Sequence, residues 1–375
     1  MKKKNFNESV NGVASVASTK SINEQQWTKY HTKGGHGFAA EDANAQWDKW
    51  RGKRVDKVGA GNAYNGADRI VNGVEVQVKY HASAYRSVAS CFGKDGIFRY
   101  PSQLIEVPKD QYDAAVRIMR ERISAGKVPG VTDPNMATEI VIKGHYTYNE
   151  AVRIAKAGNL DSIKFDIRTQ AVTCVFAFGL SYAINYGTAK ANGASHEAAF
   201  KYAAKQAIKS AGTSMLIGVS AMQFLRTQAG RNFAAFTSNA VKPMVKAAAR
   251  TQLGKSAISK TASAIAGRSV AGSAATNVIT RALRTNAVVS TIAFTVTSVP
   301  DVVKLCRGKI SGRQFAENTT SNAAGIGGGW AGTSAGAAMG SLLCPGIGTI
   351  VGGIVGGIAG GVGASLGIKK IFSCL

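Results

Sequence analysis

The chain has 375 residues, a formal net charge of +25 and an isoelectric point near 10.0. This length is sufficient for two domains that each bury a core, and the charge favours a polyanionic partner, either nucleic acid or an anionic membrane surface. The five cysteines are scattered without CxxC or Cys/His spacing, which excludes a zinc-finger pattern and a disulfide framework and favours a reducing compartment.

The positive charge is concentrated in the second half of the chain. From Ala151 onward there are 24 Lys and Arg residues against five acids, a net charge of 24 − 5 = +19. The first 150 residues hold 22 basic and 16 acidic residues, a net charge of +6. This change in composition predicts a domain boundary near residue 150.

Residues 1–30 are basic and polar, and no apolar segment of signal-peptide length follows the lysines at the start. We interpret them as a flexible basic arm. Small and apolar residues then recur at helical spacing from Phe38 to Trp50, with Glu41 at the inner edge of the predicted helix. Lys53 to Val58 is predicted to be a first strand.

The stretch from Gly66 to Tyr80 predicts a tight β-hairpin. Asn72-Gly73 supplies the positive φ angles of a two-residue type I′ turn, and both flanking runs are rich in β-branched residues. If Val71 and Val74 close the turn, Asp68 lies opposite Gln77. Strand alternation then puts four polar side chains on one face and leaves valines for a core on the other. The four are Asp68, Glu75, Gln77 and Lys79.

An Asp on one strand beside a Glu/Gln-x-Lys pattern on the next suits phosphodiester hydrolysis. Oxygen ligands hold a hard divalent cation, which polarises the phosphate and acidifies a water, while a lysine stabilises the developing charge. At Asp68 and Gln77-Val78-Lys79 the chain resembles the PD-(D/E)xK restriction-endonuclease-like nucleases, in the variant with Gln at the third position. The resemblance covers roughly residues 30–125.

The resemblance implies Mg²⁺ or Mn²⁺ bound by Asp68, Gln77 and Glu41, the last matching the glutamate that family members carry on the helix before the sheet. Lys79 is then expected to orient water and stabilise charge. Glu75 lies on the same face and is an alternative ligand to Gln77. A solvated polar hairpin face without catalytic function is the competing interpretation of the same residues.

Aromatic and basic residues are interleaved after the hairpin. Contacts with nucleic acid are expected from Tyr80, His81, Arg86 and Arg99, although such mixtures also occur in loops anchored by aromatic residues. Leu104–Val107 is predicted to be a further strand, and 110–123 a helix packed on the sheet. The order helix, strand, hairpin, strand, helix is the one that the nuclease core requires.

We therefore predict an α+β nuclease-like domain with a mixed sheet flanked by helices at 31–130, and a helical connector at 131–165. A basic, Ala-rich helical region follows at 166–317, suited to anionic membrane lipids. Within it, 169–189 carries no charge and is long enough either to span a bilayer or to form a buried helix. The uncharged run 285–300 is shorter than a comfortable span.

Residues 318–375 are predicted to form a glycine-zipper transmembrane-like hairpin, since 318–368 contain no charge and Cys344-Pro345-Gly346 divides this run into two halves of spanning length. In the second half, glycine recurs every fourth residue from Gly348 to Gly360, a spacing that lets membrane helices approach closely. Basic residues flank the hairpin on both sides. They predict that both ends lie in the cytoplasm, at the inner face of a bacterial inner membrane.

The leading functional hypothesis is a membrane-associated, metal-dependent nuclease that cleaves DNA rather than RNA, forms homo-oligomers and acts in bacterial conflict, as phage defence or as a toxin. The alternative is a pore-forming or membrane-disrupting effector whose N-terminal domain only senses or binds nucleic acid. A wholly soluble, basic architectural protein is a third possibility. The sequence identifies no immunity or system partner.

Overall fold

The computed structural model describes residue 22, residues 27–58, 65–266 and 269–343, and seven single positions between 356 and 371. The chain divides into two compact units. One, the sheet unit, runs from Gln25 to Phe165, and the other, the helical unit, contains Asp166–Leu375. The coarse prediction of an α+β region followed by a mostly helical region is confirmed.

The sheet unit contains five strands, in the spatial order β1-β2-β3-β4-β5. The first three strands are antiparallel, and β4 and β5 are added in parallel. The elements in chain order are α1 (Gly35–Trp50), β1 (Val55–Lys57), β2 (Arg69–Val71), β3 (Val74–Val78), α2 (Ala84–Ala89), β4 (Leu104–Val107), α3 (Tyr112–Ser124), α4 (Ala137–Ile140), β5 (Val141–Lys143) and α5 (Tyr148–Ile154).

The predicted hairpin and its register are confirmed. Val71 pairs with Val74, and Arg69 pairs with Val76. Asn72 and Gly73 have φ angles of 50° and 88°, as a type I′ turn requires. This register fixes which side chains of β2 and β3 share a face of the sheet.

The division of the hairpin into a core face and a polar face is wrong, because both faces of the sheet are covered. On one face, Ile105 and Val107 of β4 belong to an apolar core with Met119 of α3. On the other face, α1 packs over the sheet through Asn44 and Asp48, which contact side chains from the strand region. Gln77 therefore points towards the apolar core side, and Arg69 points towards α1.

Two boundaries of the predicted domains need correction. Of the predicted flexible arm, only Ile22 and residues 27–30 are described, and Trp27 and Tyr30 are buried, so the folded unit begins before residue 31. Residues 131–165 are not purely helical, since they include β5. β5 lies beside β4, where Ile105 pairs with Val141.

The helical unit is built from long helices. They are α6 (Leu160–Ala191), which starts in the sheet unit, α7 (His196–Leu225), α8 (Gln228–Ala248), α9 (Gln252–Ala266), α10 (Gly272–Cys306) and α11 (Gly312–Leu343). A buried ion pair links α6 to the end of α7, where the Arg226 guanidinium donates to the Asp166 carboxylate at 2.6 and 2.7 Å.

Two described helices, α6 and α10, are long and apolar enough to cross a membrane, and only 25% and 17% of their most apolar stretches are buried. The run 285–300 is therefore part of a longer helix than its uncharged length predicts. α11 covers the first half of the predicted glycine-zipper hairpin but does not meet the same combination of length and hydropathy, since glycine and alanine dominate it.

Most of the second half of that hairpin lies outside the described residues, but four of its glycines are described, and two of them, Gly356 and Gly360, contact α11 closely. A Cβ atom added to Gly332 would lie 2.0 Å from the carbonyl oxygen of Gly356, and one added to Gly328 would lie 2.3 Å from that of Gly360. Only glycine permits such an approach of two backbones. The glycine spacing therefore places two backbones in contact.

Candidate functional site

Asp68 and Gln77 lie opposite each other on one face of the sheet. Asp68 precedes Arg69, which pairs with Val76, and the backbone N–H of Asp68 donates to the carbonyl oxygen of Val76 at 3.1 Å. The Asp68 carboxylate in turn accepts from the backbone N–H of Val78 at 2.7 Å. Burial raises the pKa of Asp68 above its usual value, and the Val78 hydrogen bond and the Lys79 charge only partly oppose this shift.

The Gln77 side chain is 7% exposed, and its Oε1 atom has no hydrogen-bond partner within the described part of the chain. A buried acceptor without a partner is costly, by about 1–3 kcal/mol, and calls for a physical explanation. A bound cation would satisfy this oxygen and would also favour the ionised form of the Asp68 carboxyl group.

Lys79 extends from the end of β3 on the same face and is held by an aromatic ring. Its Nζ atom donates to the Tyr100 hydroxyl at 3.0 Å and lies 4.6 Å from the centre of that ring. Arg99 donates to the same hydroxyl at 3.1 Å. The contact between Lys79 and Tyr100, separated by 21 residues, has no signal in local spacing and was missed by sequence reasoning.

The two further predicted carboxylates occupy different environments. Glu75 lies on the same face as Gln77, two residues nearer the turn, and is exposed. Glu41 lies in the first half of α1 and is 5% exposed. Because α1 packs on the face of the sheet opposite to Gln77, the structure does not bring Glu41 together with Asp68 and Gln77 as the resemblance implies.

Basic groups surround the end of β3. His36, at the start of α1, lies with Nε2 3.0 Å from the Tyr80 carbonyl oxygen. Burial lowers the pKa of His81, and the charges of Lys79, His36 and Arg86 lower it further, which puts these groups in one electrostatic environment. His81 is half-buried and Arg86 is exposed, so both remain candidates for phosphate contact.

Two of the residues expected to contact nucleic acid, Tyr80 and Arg99, make contacts within the protein instead. Tyr80 is 3% exposed, and its hydroxyl donates to the Tyr146 carbonyl oxygen and accepts from Asn44, both at 3.0 Å. Arg99 is directed at Tyr100 and at the carbonyl oxygen of Ser90. Tyr80 is therefore a core residue rather than a stacking platform, and Arg99 is a support for the site rather than an exposed contact.

The opposite face of the sheet carries a buried ionic network that the sequence did not predict. Arg69 is 1% exposed and donates to Glu106 at 2.6 and 2.8 Å and to Asp48 at 3.2 Å. Asp48 also contacts Lys53 and His145. Although burial alone would raise the pKa of Asp48, the hydrogen bonds from His145 and Lys53 and the charge of Arg69 hold it well below its usual value.

The donor set available for a divalent cation is small. Within the described residues, no group of three or more His, Cys, Asp and Glu side chains forms a metal site. A cation at the predicted position would depend on one carboxylate oxygen of Asp68 and the amide oxygen of Gln77. These are oxygen donors of the kind Mg²⁺ and Mn²⁺ accept alongside water.

Residues 18–124 match the family model of the YeeR C-terminal domain. The inner membrane protein YeeR of Escherichia coli strain K12 is 51% identical over 100 residues, which are 25% of this chain and 19% of YeeR. The chain therefore spans about a fifth of the length of this curated relative. Residues 309–367 match the model of a C13G5.2-like glycine zipper domain.

No solved structure matches the chain. The YeeR match covers most of the sheet unit, and the glycine zipper match covers α11 and the glycine contacts beyond it. Together with the apolar helices α6 and α10, these similarities support a membrane-associated C-terminal region.

Proposed function

We propose that the sheet unit is a metal-dependent nuclease that hydrolyses phosphodiester bonds in DNA. The single observation that carries the proposal is the buried, unsatisfied Oε1 atom of Gln77 opposite the Asp68 carboxyl group. An amide oxygen and a carboxyl oxygen held together across a strand pair form the beginning of a site for a hard cation. The observed order of helix, three antiparallel strands, helix and parallel strand agrees with the resemblance to the PD-(D/E)xK nucleases.

The roles follow from position. Asp68 and Gln77 would hold Mg²⁺ or Mn²⁺, with water completing the coordination, and the cation would neutralise charge on the scissile phosphate. Lys79, oriented by Tyr100, would donate to a phosphate oxygen or hold the attacking water. Rate losses of roughly 10²–10³ are typical when one such preorganised donor is removed.

The helical unit would tether this nuclease to a membrane. The apolar helices, the glycine contacts and the similarity to an inner membrane protein support the inner membrane as the location. The basic residues that flank the predicted hairpin would place the sheet unit on the cytoplasmic side. A nuclease held at this surface would meet DNA as it enters the cell, so we propose a role in conflict with phages or rival bacteria. The net charge of +25 suits a nucleic-acid substrate.

A second candidate function is membrane disruption, with the sheet unit serving only to bind nucleic acid. The observation that favours it is the combination of two long apolar helices that are largely unburied, α6 and α10, with closely packed glycines elsewhere in the helical unit, which suits assembly within a bilayer.

The experiment is plasmid nicking by the full-length chain in detergent with Mg²⁺, run beside dye release from anionic liposomes. The nuclease proposal predicts nicking by the wild type that is lost with chelator and in Asp68→Asn and Lys79→Ala. Lys143→Ala, an exposed lysine on the edge strand, serves as the matched control and should nick at the wild-type rate. No nicking with Mg²⁺ or Mn²⁺, together with dye release, would instead support membrane disruption.

A further inference from the structure

The turn between α1 and β1 exposes an unusual combination of residues. Lys49 to Arg54 are all exposed, and they comprise four cationic side chains, one glycine and Trp50. The Trp50 side chain is 56% exposed and the Arg54 side chain 85%. Lys53 pairs with Asp48 and Arg54 with Asp56, so the four cations outnumber the two carboxylates beside them. Tryptophan is highly buried on average, so an indole exposed within this cationic segment indicates an interaction surface.

The turn is held in one conformation. The backbone N–H of Arg54 donates to the Asn72 side chain at 2.9 Å, and the backbone N–H of Asn72 donates to the Arg54 carbonyl oxygen at 2.9 Å. Arg51 caps the end of α1 and lies over the ring of Trp47. The exposed side chains are therefore presented on a preformed surface, which lowers the entropy lost on binding.

The position of the turn separates it from the candidate nuclease site. It lies at the Asn72-Gly73 end of the hairpin, whereas Lys79 lies beyond the other end of β3. It also follows α1, on the face of the sheet opposite to Gln77. The exposed turn and the candidate nuclease site therefore lie at opposite ends of the hairpin.

We propose that the segment Lys49–Arg54 docks the sheet unit on an anionic lipid surface. Indole rings favour the region between headgroups and acyl chains, and lysine and arginine near an anionic leaflet each strengthen binding roughly fivefold. The same chain carries apolar helices of spanning length, which would keep a bilayer within reach of the turn and raise its effective concentration. Lipid docking by this segment depends on the exposed Trp50 ring and the neighbouring cations, and it does not require nuclease activity.

The test uses Trp50 as its own probe in the full-length chain. Fluorescence is recorded for the wild type and for Trp50→Phe, and the difference between them reports Trp50 alone. The protein is reconstituted in vesicles of phosphatidylcholine with phosphatidylglycerol, or of phosphatidylcholine only, with brominated acyl chains as the quencher. Docking predicts blue-shifted Trp50 emission that is quenched in the anionic vesicles, and less so in neutral vesicles or at high salt.

A charge-removing pair sharpens the test. Arg51→Gln/Arg54→Gln should weaken docking about 25-fold, because it removes two cations that each strengthen binding roughly fivefold. Most of the quenching should then be lost. Arg117→Gln/Arg120→Gln removes two exposed cations from α3, on the other face of the sheet, and should leave the quenching unchanged.

Three results would overturn the proposal: equal Trp50 emission in anionic and neutral vesicles, a response to duplex DNA but not to lipid, or a blue shift that depends on protein concentration without vesicles. The first result would show that the turn does not bind anionic lipid and that its cations only stabilise the end of α1. The second would indicate a nucleic-acid surface, and the third a contact between copies of the chain.

Discussion

Replacing Arg69 with methionine is expected to destabilise the sheet unit strongly, because it leaves two buried carboxylates without their partner. The guanidinium is 1% exposed, and the carboxylates of Glu106 and Asp48 that it joins are 2% and 4% exposed. Methionine fills a comparable volume, so the change removes charge and hydrogen bonds rather than packing.

The magnitude follows from the burial of this network. Breaking a buried ion pair by removing one partner costs about 3–5 kcal/mol, most of it the penalty for the stranded charge. Asp48 retains Lys53 and His145 as partners, whereas Arg69 supplies both hydrogen bonds described for the Glu106 carboxylate. We therefore expect Arg69→Met to lower the free energy of unfolding by about 3 kcal/mol or more. Adding Glu106→Gln should restore part of this stability, because it removes the stranded charge.

The destabilisation caused by Arg69→Met should be larger at neutral pH than in acid. The pKa of Asp48 is held below its usual value of about 3.9, so the stability it contributes is present above that pH and lost as the pH falls. Removing Arg69 weakens this contribution. The difference in stability between wild type and Arg69→Met should therefore be largest near neutrality and narrow below about pH 4.

The assay is hydrogen–deuterium exchange of β3 and β4 peptides in the full-length chain, which gives the free energy of opening for this region. Arg54→Met is the control, because its exposed side chain should change that free energy by less than about 0.5 kcal/mol. A loss below about 1 kcal/mol for Arg69→Met, or a loss that does not vary with pH, would refute the reasoning.

Three further predictions concern the candidate site and the glycine contacts. Because burial raises the pKa of Asp68 and a cation needs the ionised carboxylate, affinity for Mn²⁺ should rise with pH through that raised pKa; titrations with equal affinity across the range would contradict this. Tyr100→Phe removes the acceptor of Lys79 and should slow plasmid nicking, but less than the roughly 10²–10³-fold expected for Lys79→Ala; an unchanged rate would show that the hydroxyl does not position the amine. Gly332→Ala should cost about 1–3 kcal/mol in thermal stability in detergent, because its Cβ would meet a backbone carbonyl at 2.0 Å, while Gly327→Ala, with nothing within 4 Å, should be tolerated; equal effects would disprove the close contact.

Local patterns in the sequence were sufficient to predict the hairpin. Asn72-Gly73 and the flanking valines determine the turn and register, and the four residues from Leu104 form the predicted strand. Alternation then correctly places Asp68 and Gln77 on one face. These features depend on turn chemistry and strand periodicity, which act over a few residues.

The remaining features depend on contacts between distant parts of the chain. The strand at Val141 was missed because three residues inside a helical-looking stretch give little periodic signal, and its pairing with β4 is what makes it a strand. The Arg69 network was missed because an arginine in an apolar strand looks exposed until Glu106 and Asp48 are brought to it. The burial of Tyr80 likewise follows from Asn44, 36 residues earlier.

The central claim is that Asp68 and Gln77 together bind a divalent cation beside Lys79, and Mn²⁺ binding measured by electron paramagnetic resonance on the full-length chain tests it most directly. The account predicts one saturable site that is lost in Asp68→Asn and Gln77→Leu and retained in Glu75→Gln, whose side chain is exposed on the same strand. A site that persists in Gln77→Leu, or the absence of any saturable site in the wild type, would contradict it.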